Sequence, residues 1–141
     1  MKQISDELEF IAASLGADYM RASSLNDSNI QVHYQDVDRP LVMYVGFGTS
    51  KNYYEGAEPL QEVEVDIYVV NKAFTTDETA TDIDVMMEDL HQMASDIIYR
   101  FKTVRDTLEY SLEPIQMLDD VIVGYLLTVS FILEGNTCTK P

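Results

Sequence analysis

Cysteine and basic residues are the scarce components of this 141-residue sequence. The single cysteine, Cys138, excludes an internal disulfide framework and a cysteine-rich zinc site. Nine lysines and arginines stand against 25 aspartates and glutamates, which gives a formal net charge of −16. A general nucleic-acid-binding protein and a protein that lies on anionic lipid both need a basic surface, so the composition argues against both classes.

Long apolar runs are also missing. The longest, residues 121–133, is shorter than the roughly 20 residues that a membrane-spanning helix needs. Its valine, isoleucine, tyrosine and phenylalanine content favours a strand. The N-terminal MKQISDELEF carries acidic residues where a signal peptide has its apolar stretch. We therefore expect a protein of the cytosol or of a virion, without a membrane partner.

Two segments have the apolar spacing of an amphipathic helix. The first covers residues 5–15, and the second begins at Thr79 or Thr81 and ends at Phe101. The acids before the second segment favour the positive end of a helix dipole there. Residues 134–141 follow the last apolar segment and are expected to form a flexible tail.

Five further segments have the alternating or apolar pattern of strands, and a short strand is expected at residues 18–21. The five strands are predicted over residues 30–35, 41–47, 63–69, 108–112 and 121–133. A loop is predicted over residues 48–59. It carries Tyr53 and Tyr54, which are candidates for an interface because exposed aromatic side chains are enriched at protein contacts.

This element order lacks the repeated strand–helix–strand units of a doubly wound fold. It predicts a single α+β domain over residues 1–141, in which a short N-terminal helix accompanies a mainly antiparallel sheet and the long helix packs across one face. The closing strand is about twice the usual five or six residues and apolar on both faces. We expect the long helix to cover one of these faces and another subunit to cover the other.

No group of residues has the spacing of a catalytic or metal site. His33 and His91 lie in none of the histidine patterns that bind metals, and Cys138 lacks a recognisable activating base. We therefore predict no enzymatic activity, no cofactor and no metal. A loosely bound Ca²⁺ or Mg²⁺ among the acids, and a small acidic enzyme or ligand-binding domain, stay open as alternatives.

Acidic residues are concentrated in one part of the chain. Residues 55–96 contain twelve carboxylates and one basic residue, Lys72. Three of these carboxylates, Glu62, Glu64 and Asp66, alternate with apolar residues and so share one solvated face of a strand. A surface of one sign repels DNA or attracts a basic partner. Both uses concern binding or passage rather than bond chemistry.

The order of elements resembles that of phage tail-terminator and tail-completion proteins. The resemblance covers about residues 63–133 and is carried by EVEVDIYVV, TDIDVMMEDLHQMASDIIYRF, LEYSLEPIQMLDD and VIVGYLLTVSFIL. It implies a structural virion protein, assembled in the cytoplasm of a bacterial host. Copies of such a protein form a ring at the head–tail junction, neck or tail end and stack on portal, adaptor or tail proteins.

The resemblance also implies a use for the negative charge. The ring encloses a passage, and an acidic lumen lets DNA slide through without specific binding because like charges repel. The candidates for lining it are Glu62, Glu64 and Asp66, or the acids of the long helix.

A second resemblance is to acidic secretion chaperones of bacteria, which are also small α+β proteins. It implies a dimer that holds an extended segment of a partner protein on apolar patches. Those chaperones usually close with a helix after the last strand, whereas GNTCTKP follows the last strand predicted here.

Overall fold

A computed structural model describes residues 2–22, 40–56, 58–72, 80–103, 108–117 and 122–134. These residues form two helices, α1 (Lys2–Ser14) and α2 (Ala80–Thr103). They also form five strands: β1 (Asp18–Ala22), β2 (Leu41–Glu55), β3 (Glu58–Lys72), β4 (Leu108–Met117) and β5 (Ile122–Glu134). The strand expected over residues 30–35 and the tail expected after residue 134 lie outside the described residues.

The five strands make one sheet in the order β1-β2-β3-β5-β4. β1 pairs with β2 in parallel, and the other three pairs are antiparallel. The long helix packs across one face of this sheet, so the predicted α+β class with a mainly antiparallel sheet is confirmed. No helix in the described part of the chain is both long enough and apolar enough to cross a membrane.

Both helices form where the sequence period predicts them. α1 buries Ile4, Leu8 and Ile11 on one side, and Gly16, with a φ of 76°, provides the left-handed residue that commonly follows a helix end. α2 buries Leu90, Ala94, Ile97 and Phe101. The two helices also meet, since Arg100 donates a hydrogen bond to the Ser14 hydroxyl.

The loop predicted over residues 48–59 is wrong. β2 and β3 are each 15 residues long and pair almost to their ends, through Tyr54 with Pro59 and Glu55 with Glu58. The chain reverses at Gly56, whose φ of 63° is in the region that favours glycine. The pattern failed here because backbone hydrogen bonds between the two strands hold this hairpin, while its exposed residues lack the apolar alternation that marks a buried strand.

The main core lies between the helices and one face of the sheet, which we call the helix face. Val63, Val65, Ile67 and Val69 of β3 point into it and are buried. Their cross-strand partners on β5 include Val129 and Phe131, and they belong to the same cluster. Side chains alternate along β3, so the residues between these four lie on the opposite face of the sheet.

A second apolar cluster lies on the opposite face, at one end of the sheet. Leu41, Met43, Val70 and Ile122 form it and are almost completely buried. At the Ile122 end, then, β5 is covered on both faces within one chain, and no second subunit is needed there. At the other end Ile132 is 36% exposed, and cover from a second copy stays a prediction there.

We predict that Gly124→Ala destabilises the fold by about 1–3 kcal/mol, the usual cost of overpacking. A β-carbon at this position would collide with the Val69 carbonyl oxygen and lie 2.7 Å from the Val70 α-carbon. Chemical denaturation measures the loss. Ser130→Ala on the same strand is the control and should cost less, because it removes a hydroxyl and adds no atom. Equal stability of Gly124→Ala and the native chain would contradict this strand approach.

We predict that Tyr44→Phe leaves the free energy of unfolding unchanged or raises it by about 1 kcal/mol. The Tyr44 side chain is completely buried, and its hydroxyl has no hydrogen-bond partner in the described structure. The matched control is Tyr19→Phe, because the Tyr19 hydroxyl lies 2.7 Å from the Ser5 hydroxyl and its loss should cost about 0.5–1.5 kcal/mol. If Tyr44→Phe is the more damaging change, the Tyr44 hydroxyl has a partner after all.

We also expect the Tyr44 phenol to make the folded protein less stable in alkali. Burial raises the pKa of the Tyr44 phenol above its ordinary value, so the unfolded chain releases this proton at lower pH than the folded chain does. The stability that this group contributes is complete below the unfolded pKa of about 10 and is lost as pH rises through and above it. Unfolding titrations of the native chain and of Tyr44→Phe should therefore diverge only in this range, with the variant less sensitive to alkali.

Candidate functional site: an acidic face of the sheet

The three predicted carboxylates lie where the alternation places them. Glu62, Glu64 and Asp66 project from β3 on the side away from the helices, and all three are exposed. Their neighbours Val63 and Val65 are buried on the helix face. β3 is paired on both sides, with β2 and with β5, so a strand inside the sheet carries these charges rather than a loop.

Strand pairing brings two further carboxylates to the same face, and these are residues that the sequence did not single out. Glu109 of β4 pairs with Ser130 of β5, and Ser130 pairs in turn with Glu64. Glu113 lies on the same side of β4, opposite Leu126. Both glutamates are exposed. We define the acidic face as the following five side chains: Glu62, Glu64, Asp66, Glu109 and Glu113.

The hydrogen-bonding phase of the ladder follows from Pro114. Proline has no N–H and is accommodated in an edge strand where that position faces away from the neighbour. Pro114 pairs with Tyr125, so this is a pair without ladder bonds. By alternation, the β3–β5 pairs that lack ladder bonds, and whose side chains approach most closely, are those of Glu64 with Ser130 and Asp66 with Thr128.

Hydroxyl groups hold two of the carboxylates at these close pairs. The Thr128 hydroxyl donates to an Asp66 carboxylate oxygen at 3.0 Å, and the Ser130 hydroxyl donates to Glu64 at 3.4 Å. The side-chain contacts thus agree with the ladder phase that Pro114 sets. They orient the carboxylates without neutralising their charge.

Mutual repulsion is the main electrostatic feature of the face. Neighbouring strands are about 4.8 Å apart, so Glu64 and Glu109 lie roughly 10 Å apart across β5. That separation is close to the Debye length at 0.1 M salt, about 10 Å, so the repulsion is felt at low salt and screened at high salt. Lys51 of β2, opposite Glu62, brings one positive charge to the face.

The geometry spreads the charge rather than focusing it on one point. Within the described ranges, no three histidine, cysteine, aspartate or glutamate side chains are grouped closely enough to hold a metal ion. The hollows on this face are open, and the larger two, of about 220 and 250 Å³, are each lined by Glu64 and other polar residues. Such a surface can repel an anion or attract a cationic partner over its whole area.

The predicted interface tyrosines are separate from the acidic face. Tyr54 lies near the tip of the β2–β3 hairpin and is 75% exposed. Tyr53 lies next to it in β2, with its backbone opposite Leu60, and its side chain is outside the described part. Both residues therefore lie in the β2–β3 hairpin of the sheet and not in the predicted loop.

His91 does not belong to the acidic face. His91 is exposed on α2 and makes an edge-to-face ring contact with Tyr125, with 5.3 Å between the ring centres. His33 and Cys138 are outside the described residues.

We predict that Glu64→Gln raises the free energy of unfolding by a few tenths of a kcal/mol at low salt, because it relieves like-charge repulsion and keeps an oxygen for the Ser130 hydroxyl. The gain should shrink between about 0.02 and 0.5 M salt. Chemical denaturation at both concentrations measures it.

Asp96→Asn is the matched control, with the opposite expected sign. Asp96 accepts a hydrogen bond from Gln92 at 3.2 Å and lies one helical turn before Arg100, so its neutralisation should cost about 0.3 kcal/mol. A loss of stability in Glu64→Gln at low salt would show that the acidic face is not under repulsion.

Comparison with known proteins adds no assignment to this geometry. No family model and no curated protein matches the chain. We therefore infer the function from the acidic face and from the surfaces around it.

Proposed function

We propose that this protein is a structural component of a phage virion that forms an oligomeric ring at the head–tail junction or tail end. The acidic face of each copy is turned toward the passage that the ring encloses. Portal, adaptor or tail proteins are the neighbours on which the ring stacks, and assembly takes place in the cytoplasm of the bacterial host. The observation that carries the proposal is the exposed acidic face on the paired strands of a sheet.

The acidic face has an electrostatic cost. Five carboxylates near one lysine repel one another, and a monomer without use for them would reduce the cost by mixing signs. A wall of fixed negative charge has a use beside DNA, because it keeps the phosphates from adhering while the duplex moves. The carboxylates lie on β3 and β4, which are joined through β5, so paired strands hold the charges in place.

Ring closure requires two different surfaces on each copy that fit one another. The exposed Tyr54 at the hairpin tip is a candidate for one of them, because aromatic side chains supply much of the energy of protein contacts. The helices provide another exposed surface, which carries Phe10 on α1 and Tyr99 on α2. The surface on the helical side is suited to a different contact, the stacking of other virion proteins on the ring.

We predict that the purified protein assembles into rings of at least about six copies, alone or on its partner, since closed rings of heterologous contacts are the expected assembly. Mass photometry gives the copy number, and negative-stain electron microscopy shows whether a central opening is present. A stable dimer that forms no ring, alone or with its partner, would contradict the proposal and favour the acidic chaperone.

The orientation of the acidic face has its own test. In the assembled protein, the triple change Glu62→Lys, Glu64→Lys and Asp66→Lys should increase affinity for duplex DNA by about tenfold or more at low salt, because phosphates then meet lysines in the passage.

The matched control makes the same charge change on the exposed side of α2. It consists of three substitutions: Asp84→Lys, Glu88→Lys and Asp89→Lys. Fluorescence anisotropy with a labelled duplex compares the two proteins. Equal binding by both, or tighter binding by the α2 variant, would contradict a passage lined by β3.

A further inference from the structure

The outer edge of β4 is unpaired by any described strand. β4 is ten residues long and lies at one end of the sheet, with β5 on its inner side. Most of its side chains are exposed, and Tyr110 is 58% exposed. An edge of this length presents a row of N–H and C=O groups on which another strand can pair.

Pro114 determines which backbone groups point outward. Since Pro114 occupies a pair without ladder bonds, the residues two and four positions before it do so too. The N–H and C=O groups of Tyr110 and Leu112 therefore point away from β5, as do those of Leu108. Pro114 itself offers no N–H, so the row of donors stops there and the usable edge covers residues 108–113.

The two sides of this edge differ in chemistry. Glu109 and Glu113 lie on the acidic face, with Ser111 between them. On the helix side, Tyr110 is exposed and Leu112 packs at the margin of the main core. In a strand added here, side chains on one face would lie beside the carboxylates, and side chains on the other face would lie beside apolar surface.

We propose that the outer edge of β4 binds an extended segment of a partner protein as an added strand. The segment carries lysine or arginine at alternate positions, facing Glu109 and Glu113, and apolar residues between them, facing Tyr110. Charge complementarity selects this occupant. Antiparallel pairing of two β4 edges would instead bring the glutamates of both copies together, and the repulsion between these like charges opposes that pairing.

This binding surface goes beyond the ring and does not require it, since one chain contains the whole edge. It is also distinct from repulsion of DNA, because strand addition depends on backbone hydrogen bonds and not on charge alone. The experiment must therefore separate backbone pairing from electrostatic adhesion.

The probe is a fluorescein-labelled ten-residue peptide in which lysine and valine alternate. The control peptide has the same sequence and charge but carries N-methyl groups on alternate backbone amides, so that it cannot pair along that edge. Anisotropy at about 0.15 M salt should show the unmodified peptide binding at least about tenfold more tightly, because several hydrogen bonds are lost in the control. Equal binding of the two peptides would overturn the proposal.

Two protein variants test the edge from the other side. Tyr110→Pro removes one outward donor and leaves the β5 ladder intact, and it should weaken binding by about fivefold or more. Tyr110→Val changes the side chain but keeps the donor, and it should bind more tightly than Tyr110→Pro. Circular dichroism checks that both variants fold. If Tyr110→Pro does not fold, the comparison of the two peptides on the native chain decides whether the proposal stands.

Hydrogen exchange locates the bound peptide. The amides of Tyr110 and Leu112 should become protected when the unmodified peptide binds, and protection elsewhere without change at these two amides would contradict the assignment. Concentration-dependent dimerisation of the native chain that Tyr110→Pro abolishes would show that a second copy occupies the edge, and would also overturn the proposal.

Discussion

The pairing of β5 with β3 on one side and with β4 on the other determines the chemistry of both faces of the sheet. Side chains alternate along a strand, so a shift of one residue would move every buried side chain to the opposite face. It would carry Val65 and Ile67 out of the core and bring Glu64 and Asp66 into it. Burial of unpaired carboxylates is far more costly than their mutual repulsion at the surface, and this difference keeps the register in place.

The acidic face and the β4 edge are both consequences of that register. Because β5 lies between β3 and β4, carboxylates that are far apart in sequence share one surface, with hydroxyls of Thr128 and Ser130 between them. The same order leaves β4 outermost. The result is a sheet with one side filled by helices and the other divided between a buried apolar end and a charged end.

The local pattern of apolar residues predicts most of the helices and strands. It fails where pairing between distant strands determines the structure. The alternation around Val65 and the helical period around Ile97 depend on burial against one core, and the structure confirms both. The sequence does not reveal the hairpin over residues 48–59, because backbone hydrogen bonds hold it and these do not require apolar and polar side chains to alternate. Glu109 and Glu113 were missed as site residues for a related reason. Their strand was predicted, but nothing local shows that it reaches the face of Glu64 through β5.

Nuclear Overhauser contacts between α-protons test this register most directly. Pairs without ladder bonds bring α-protons of opposite strands into close contact. We expect strong contacts between Glu64 and Ser130 and between Asp66 and Thr128. Strong α-proton contacts of Val65 with Ser130 or Thr128 in their place would show a register shifted by one residue, and the acidic face as defined here would not exist.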